Sequence, residues 1–109
     1  MKLVLAIVHG EDAGQTVQAL NGAGFIVTRL ASSGGFLQQG SATLLVGVEE
    51  ERVDQVLALI RENGRERSRY LTSAPPTAEP GELLMPFPVE VQVGGATVFV
   101  LDVEQFEKL

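Results

Sequence analysis

Apolar positions follow two different periods along the first half of the chain. Residues 3–8 form a continuous, partly β-branched apolar run, which is typical of a strand buried on both faces of a sheet. From Asp12 the apolar residues recur at helical spacing until Gly22, so the pattern predicts a helix directly after this strand. Residues 25–31 and 43–48 are apolar again and predict the second and third strands. The helical stripe consists of Ala13, Val17 and Leu20.

The second half begins with a predicted helix and continues into a proline-rich segment. Three consecutive glutamates, starting at Glu49, place negative charge where a helix dipole favours it, and Asn63 with Gly64 forms a stop signal. The segment from about residue 68 to 86 or 87 holds most of the prolines and cannot continue a helix or fill a central strand. It predicts a long loop that either meets a ligand or partner, or is mobile. The buried stripe of the helix is Val53, Val56, Leu57 and Ile60.

The last third of the chain carries the signals of a β-hairpin. Residues 89–93 alternate between apolar and polar, Gly94 and Gly95 allow a tight turn, and residues 96–101 resume the apolar run. We therefore expect residues 89–93 and 96–101 to pair with one another.

The predicted order of elements favours an α+β fold. It reads β-α-β-β-α-β with one extra hairpin strand, which is the ferredoxin-like plan of an antiparallel sheet covered by helices on one side. The other sheet face is left open, and an open apolar face on a small protein is normally closed by oligomerisation. Val98, Phe99 or Val100 could contribute to that contact. In the tail, Val103 and Phe106 at helical spacing predict a short helical turn or an extended segment that packs on the surface.

Length, charge and composition narrow the function classes. A chain of 109 residues is long enough for one core, so residues 1–109 are expected to form a single domain. A net charge of −6 disfavours nucleic-acid polymers, although one pocket can still bind a small anion. The absence of cysteine excludes disulfides and thiolate chemistry. No apolar run has the length of a membrane span or the features of a complete signal peptide, so we expect a cytoplasmic protein without membrane contact.

The sequence offers little support for catalysis or metal binding. His9 is the only histidine, and a solvated turn residue is a better interpretation than a general base or a metal ligand. The acidic clusters lie at both predicted helix starts, where dipole complementarity explains them. Three arginines after the second helix, Arg65, Arg67 and Arg69, could bind a phosphate. Charged residues that alternate after the end of a helix are, however, more often simply exposed to solvent. No catalytic residue, metal site or cofactor is predicted.

The segment 28–37 contains several residue types that are typical of ligand-binding loops. Two adjacent glycines let backbone N–H groups turn toward a ligand, and Thr28, Ser32 and Ser33 offer hydroxyls. Phe36 offers a flat apolar face on which a base could stack. These features suit a nucleotide, but composition alone leaves a plain strand-connecting loop equally possible. The segment is neither a Walker motif nor a dinucleotide-fold fingerprint.

Three long segments resemble the bacterial cyclic di-AMP receptor family of PII-like signal transduction proteins. They are Thr-Arg-Leu-Ala-Ser-Ser-Gly-Gly-Phe-Leu at 28–37, Leu-Val-Gly-Val-Glu at 45–49 and Val-Gly-Gly-Ala-Thr-Val-Phe-Val-Leu at 93–101, with Gly40 in between. The resemblance runs nearly end to end. It implies a homotrimer of ferredoxin-like subunits, ligand pockets at the subunit clefts, and cyclic di-AMP as the ligand of a protein without enzymatic activity.

The resemblance also implies positions for the site. The segment 32–41 would correspond to the family's shortened T-loop, and 68–87 to its enlarged B-loop. Phe36 and Phe99 would supply apolar surface to an adenine, Thr28 a hydroxyl, and the glycines close backbone approach. The predicted ligand-binding residues are Thr28, Ser32, Gly35, Phe36, Leu37, Ser41, Gly47 and Phe99.

The sequence departs from the family pattern at several of these positions. Ser41 stands where the family usually has an asparagine that bonds an adenine, and it is too short for the same bidentate contact. Gly24 and Ile26 stand where family members can carry polar or basic residues, and Lys108 where they can carry a polar partner.

Three functions therefore remain open at this stage. The leading hypothesis is a sensor in which cyclic di-AMP orders the two loops and so signals to an unknown protein partner. A PII-type sensor of another nucleotide, such as ATP or ADP, is the second. A ferredoxin-like enzyme or metal-binding protein that uses His9 and nearby carboxylates is the third.

Overall fold

A computed structural model describes residues 1–31, 40–65, 67–72 and 88–109 of the chain. Within these ranges six strands, two α-helices and one 3₁₀ turn follow one another. Their bounds are β1 Lys2–His9, α1 Gly10–Gly22, β2 Val27–Ala31, β3 Ser41–Val48, the 3₁₀ turn Glu50–Arg52, α2 Val53–Gly64, β4 Arg67–Thr72, β5 Pro88–Val93 and β6 Ala96–Asp102.

The described strands form two separate sheets. Four strands lie in the order β2-β3-β1-β6, and every neighbouring pair is antiparallel. The helices α1 and α2 pack on this sheet, which confirms the predicted α+β, ferredoxin-like fold. The strands β4 and β5 pair only with each other in the described structure, and we call this pair the arm.

The core lies between the helices and one face of the four-stranded sheet. Alternate residues of the central strands point toward the helices, as the period of a β-strand requires. The fully buried sheet residues include Val4, Ala6, Leu44 and Val46, and the helices add side chains from their predicted stripes. The helical contributions are Ala13 and Leu20 from α1 and Val56 and Ile60 from α2.

The predicted hairpin between residues 89–93 and 96–101 was wrong in its pairing. The strand β5 pairs with β4, whereas β6 pairs with β1 in the four-stranded sheet. Gly94 and Gly95 both have positive φ and lead the chain from one sheet into the other. The Gly95 N–H donates to the Gly64 carbonyl (2.5 Å), so this crossing is fixed to the end of α2.

The start of the predicted proline-rich loop is also different, because residues 67–72 form the strand β4. The prolines begin only after this strand, which removes the physical objection to a strand there. Residues 73–87 of the predicted B-loop lie outside the described residues, as do residues 32–39 of the predicted T-loop.

The start of one strand was also misplaced. The strand β2 begins at Val27 rather than at residue 25, because the Phe25 N–H donates to the Leu20 carbonyl (3.0 Å) and completes the end of α1. In the tail after β6, the described residues 103–109 form neither helix nor strand, so of the two predicted alternatives the short helical turn does not form. The stop of α2 at Gly64 is as predicted.

Candidate functional site

Two of the predicted site residues lie at opposite edges of one sheet face. Thr28 is opposite Leu45, Leu45 is opposite Leu5, and Leu5 is opposite Phe99. Residues paired directly across antiparallel strands share a face, so these four side chains form one row on the face turned away from the helices. We call this the open face. Three strand spacings separate Thr28 from Phe99, which amounts to about 14 Å within one chain.

A cavity of about 460 Å³ lies on the open face at the end of the sheet where β1 begins. Its size falls in the range of small-molecule sites, and its lining is mostly apolar. Thr28 contributes a hydroxyl, and Gly47 lies beside it on β3. The complete lining is Met1, Leu3, Ile26, Thr28, Leu45, Gly47, Val103 and Phe106.

Gly47 keeps this cavity open. A Cβ built on Gly47 has no heavy atom within 4 Å outside its chain neighbours, and its φ is not in the positive region. The glycine is therefore required neither by the backbone conformation nor by close packing of the fold. A side chain at this position would instead extend into the cavity.

A second, smaller cavity of about 220 Å³ adjoins the first and shares Met1, Ile26 and Gly47 with it. Its lining includes one cationic side chain, Arg52, and one acidic side chain, Glu49. The guanidinium lies 4.1 Å from the centroid of the Phe25 ring, and Nη2 donates to the Ala23 carbonyl (3.1 Å). These contacts hold a positive charge beside the end of the sheet that carries the cavity.

Two other predicted site residues that the structure describes, Ser41 and Phe99, do not line the cavity. Ser41 begins β3 opposite His9, about 14 Å along the strand from Leu45. Phe99 is exposed on β6, at the far edge of the open face. Ser32, Gly35, Phe36 and Leu37 lie outside the described residues. The structure thus brings Thr28 and Gly47 together and leaves Ser41 and Phe99 apart from them.

Several lining residues were missed by sequence reasoning. Leu3 was read only as part of a buried strand, although its place one residue before the core residue Val4 puts it on the open face. Val103 and Phe106 belong to the tail, which is held beside β1 because the Val103 N–H donates to the Met1 carbonyl (3.3 Å). The apolar residues of the tail did predict a segment that packs on the surface, but nothing in the sequence connected them with the site, and Phe106 is still 66% exposed.

Comparison with known proteins decides the family. The model of the cyclic-di-AMP receptor family matches residues 1–109, the whole chain. The chain belongs to the cyclic-di-AMP receptor family. The chain is similar to a crystal structure of a functionally unknown protein from Pediococcus pentosaceus, with a TM-score of 0.76 and 40% sequence identity. The match covers 99% of this chain and 96% of that one.

One ion pair joins two strands of the four-stranded sheet, and another joins α1 to the arm. At the end near the cavity, Lys2 on β1 pairs with Asp102 on β6, and this hydrogen bond lowers the pKa of Asp102 and raises the pKa of Lys2. At the other end, Asp12 on α1 pairs with Arg67 on β4 at 2.9 Å, and the same kind of hydrogen bond raises the pKa of Arg67. Both pairs join segments that are far apart in sequence.

The alternative of a metal site finds no support among the described residues. The Nδ1 of His9 accepts a hydrogen bond from the Glu11 N–H (3.3 Å), so the imidazole caps the start of α1. The described part of the chain holds no group of three or more histidine, cysteine, aspartate or glutamate side chains placed to bind a metal ion. Nor does a helix in the described ranges of the receptor have the length and apolar character needed to cross a membrane.

Proposed function

We propose that this chain is a signalling receptor that binds cyclic di-AMP in the open-face cavity. The observation that carries the proposal is the apolar cavity whose lining includes Thr28 and Gly47, in a member of the cyclic-di-AMP receptor family. Flat adenine rings suit a cavity with apolar walls, and the Thr28 hydroxyl can bond a ring nitrogen or an exocyclic amine. The guanidinium of Arg52 in the neighbouring cavity can attract a phosphate, and Glu49 in the same lining opposes this attraction.

The proposed site is completed between subunits. Thr28 and Phe99 lie at the two edges of the described sheet, too far apart to contact one ligand base within one chain. If subunits are arranged head to tail in a ring, the β6 edge of one subunit approaches the β2 edge of the next, and Phe99 comes near the neighbour's Thr28. A homotrimer of this kind would also cover the exposed apolar residues of the open face.

The proposed signal is a change in loop order rather than a chemical reaction. Thr28 lies on β2, which leads into the segment 32–39, and Ser41 begins β3 directly after Gly40. A ligand held by Thr28, Gly47 and this segment would favour one arrangement of the segment over others. An unknown protein partner in the bacterial cytoplasm would then recognise that arrangement. The proposal needs no enzymatic step, no metal and no cofactor.

Isothermal titration of the purified protein with cyclic di-AMP tests the proposal, with cyclic di-GMP, ATP and AMP as comparison ligands. We expect saturable binding near one ligand per chain and clear selectivity for cyclic di-AMP. Absence of cyclic di-AMP binding would refute the proposal. Selective binding of ATP would favour a PII-type sensor of another nucleotide, in which Ser41 in place of the family's asparagine accompanies a change of ligand.

A further inference from the structure

The first turn of α1 touches the segment that leads into β3. The Gly10 N–H donates to the Gly40 carbonyl (2.6 Å), and Gly40 directly precedes Ser41 at the start of β3. The two backbones approach so closely that a Cβ on Gly10 would collide with the Gly40 oxygen. This contact therefore fixes where β3 begins, and β3 carries Leu45 and Gly47 of the cavity.

Asp12, two residues after Gly10 in the same turn, forms an ion pair with Arg67, the first residue of the arm. The Asp12 side chain is 3% exposed, and its two carboxylate oxygens accept hydrogen bonds from Nη1 and Nη2 of Arg67 at 3.2 and 2.9 Å. Arg67 begins β4, and its Nη1 also donates to the Arg65 carbonyl (3.2 Å). A buried carboxylate that loses such a two-point partner is strongly destabilised, so the arm is held firmly at this point.

The second strand of the arm ends at the same place. Gly94 follows β5 with a φ of +82°, and a Cβ on it would lie 2.5 Å from Arg67 Nη1 and 2.6 Å from the Arg65 oxygen. The Gly95 N–H donates to the Gly64 carbonyl (2.5 Å). Strand β4 thus begins, and strand β5 ends, beside the Asp12 carboxylate. The space at Gly94 is too small for a side chain.

We propose that the first turn of α1 couples the arm to the ligand-binding strand β3 through the Gly10–Gly40 hydrogen bond and the Asp12–Arg67 ion pair. Gly10 and Asp12 are two residues apart in one helical turn, a rise of about 3 Å, so they move together as a rigid unit. A displacement of the arm root therefore shifts Gly10 and weakens its bond to Gly40, and a displacement of Gly40 acts on the arm in return. Asp12 and Arg67 are positioning residues in this proposal, and its signalling consequence rests on the proposed function.

Amide hydrogen exchange of the ligand-free protein, measured by NMR, tests the coupling directly. The reporting amide is that of Gly10, which donates to Gly40 but does not contact Arg67. We expect Arg67→Gln to accelerate Gly10 exchange about tenfold, the factor that corresponds to about 1.4 kcal/mol. The Val4 and Val46 amides in the central strands report any general loss of stability, and the acceleration at Gly10 should exceed theirs.

The matched control is Lys2→Gln, which removes the ion pair at the other end of the sheet and should leave Gly10 exchange unchanged. Arg67→Lys retains the charge without the two-point contact and should give an intermediate acceleration, and it serves if Arg67→Gln does not fold. An unchanged Gly10 amide in a folded Arg67 variant would overturn the proposal. Equal acceleration at Gly10, Val4 and Val46 would also overturn it, because it would show a general loss of stability.

Titration with cyclic di-AMP then separates this inference from the proposed function. In the wild-type protein we expect the ligand to change exchange at Gly95, the reporter of the arm root, and in Arg67→Gln we expect binding without that change. A wild-type protein that does not bind cyclic di-AMP contradicts the proposed function, whereas the ligand-free Gly10 result still decides the coupling. Bound ligand with an unchanged Gly95 amide in the wild type would contradict the signalling role of the coupling.

Discussion

The two faces of the four-stranded sheet contain similar residues but differ in what covers them. Toward the helices, Val4, Leu44 and Val46 are completely buried. On the open face, Leu30, Phe99 and Leu101 are exposed by 45%, 41% and 46%, although Ile7 and Thr43 nearer the middle are buried. Exposed apolar residues of this size on one face of a small protein mark a surface for a ligand or a partner. The helix face stabilises the subunit, and the open face is available for assembly and binding.

The largest expected difference between the faces is in subunit stability. Leu44→Ala removes a fully buried side chain of the core and should lower the free energy of unfolding by about 2–5 kcal/mol. Leu30→Ala makes the same change on the open face and should cost clearly less, because Leu30 already contacts solvent. Denaturant unfolding at one fixed protein concentration compares the two variants. Equal losses would contradict the assignment of the core to the helix face.

A second expected difference is in assembly. Leu101→Asp introduces a charge into the apolar part of the open face and should dissociate the proposed trimer, since an unpaired charge in an interface is costly. Light scattering after size-exclusion chromatography should show the mass falling from that of three chains to that of one. Gln18→Asp, an equally acidic change on the exposed side of α1, should retain the trimer. A wild-type protein that is already monomeric would refute the trimer itself.

The smallest expected effect concerns the ion pair between Lys2 and Asp102. Its hydrogen bond lowers the pKa of Asp102 below the ordinary 3.8 and raises the pKa of Lys2 above 10.5. The pair therefore stabilises the folded state between these limits, and the contribution is lost as the pH falls through the folded pKa of Asp102 or rises through that of Lys2. Asp102→Asn should lower the Tm slightly at pH 7, as is usual for an exposed pair, and should not change it at strongly acidic pH. A Tm difference that persists at acidic pH would point to lost packing instead.

The central fold was predictable because its signals are local. Buried strands and amphipathic helices can be recognised from the spacing of apolar residues along the sequence. The predicted bounds of β1, β3 and α2 were therefore close to those in the structure. Pairing is a non-local property, and this is where the prediction failed. Residues 89–93 and 96–101 have the sequence pattern of a hairpin that turns at Gly94 and Gly95. In the structure, however, β6 pairs with β1, and β5 pairs with β4.

The candidate site was predictable only in part, for a related reason. Thr28 and Gly47 were identified through the family resemblance, and they meet in the cavity because β2 and β3 are neighbours. Leu3, Val103 and Phe106 could not be found in this way, because their approach depends on how the tail lies beside β1. The Asp12–Arg67 pair was likewise hidden, since both residues had been explained by helix-end electrostatics and a solvated charge run.

The most direct test of the central claim is isothermal titration of cyclic di-AMP into the wild-type protein and Gly47→Val. A valine side chain at this position meets open space in the fold and occupies part of the cavity, so the variant should keep the wild-type Tm. We predict affinity at least about tenfold weaker than wild type, a loss of about 1.4 kcal/mol or more. Gly22→Ala, on an exposed part of α1 with equally free space, should bind normally. Unchanged affinity in Gly47→Val would contradict the account and place the ligand elsewhere.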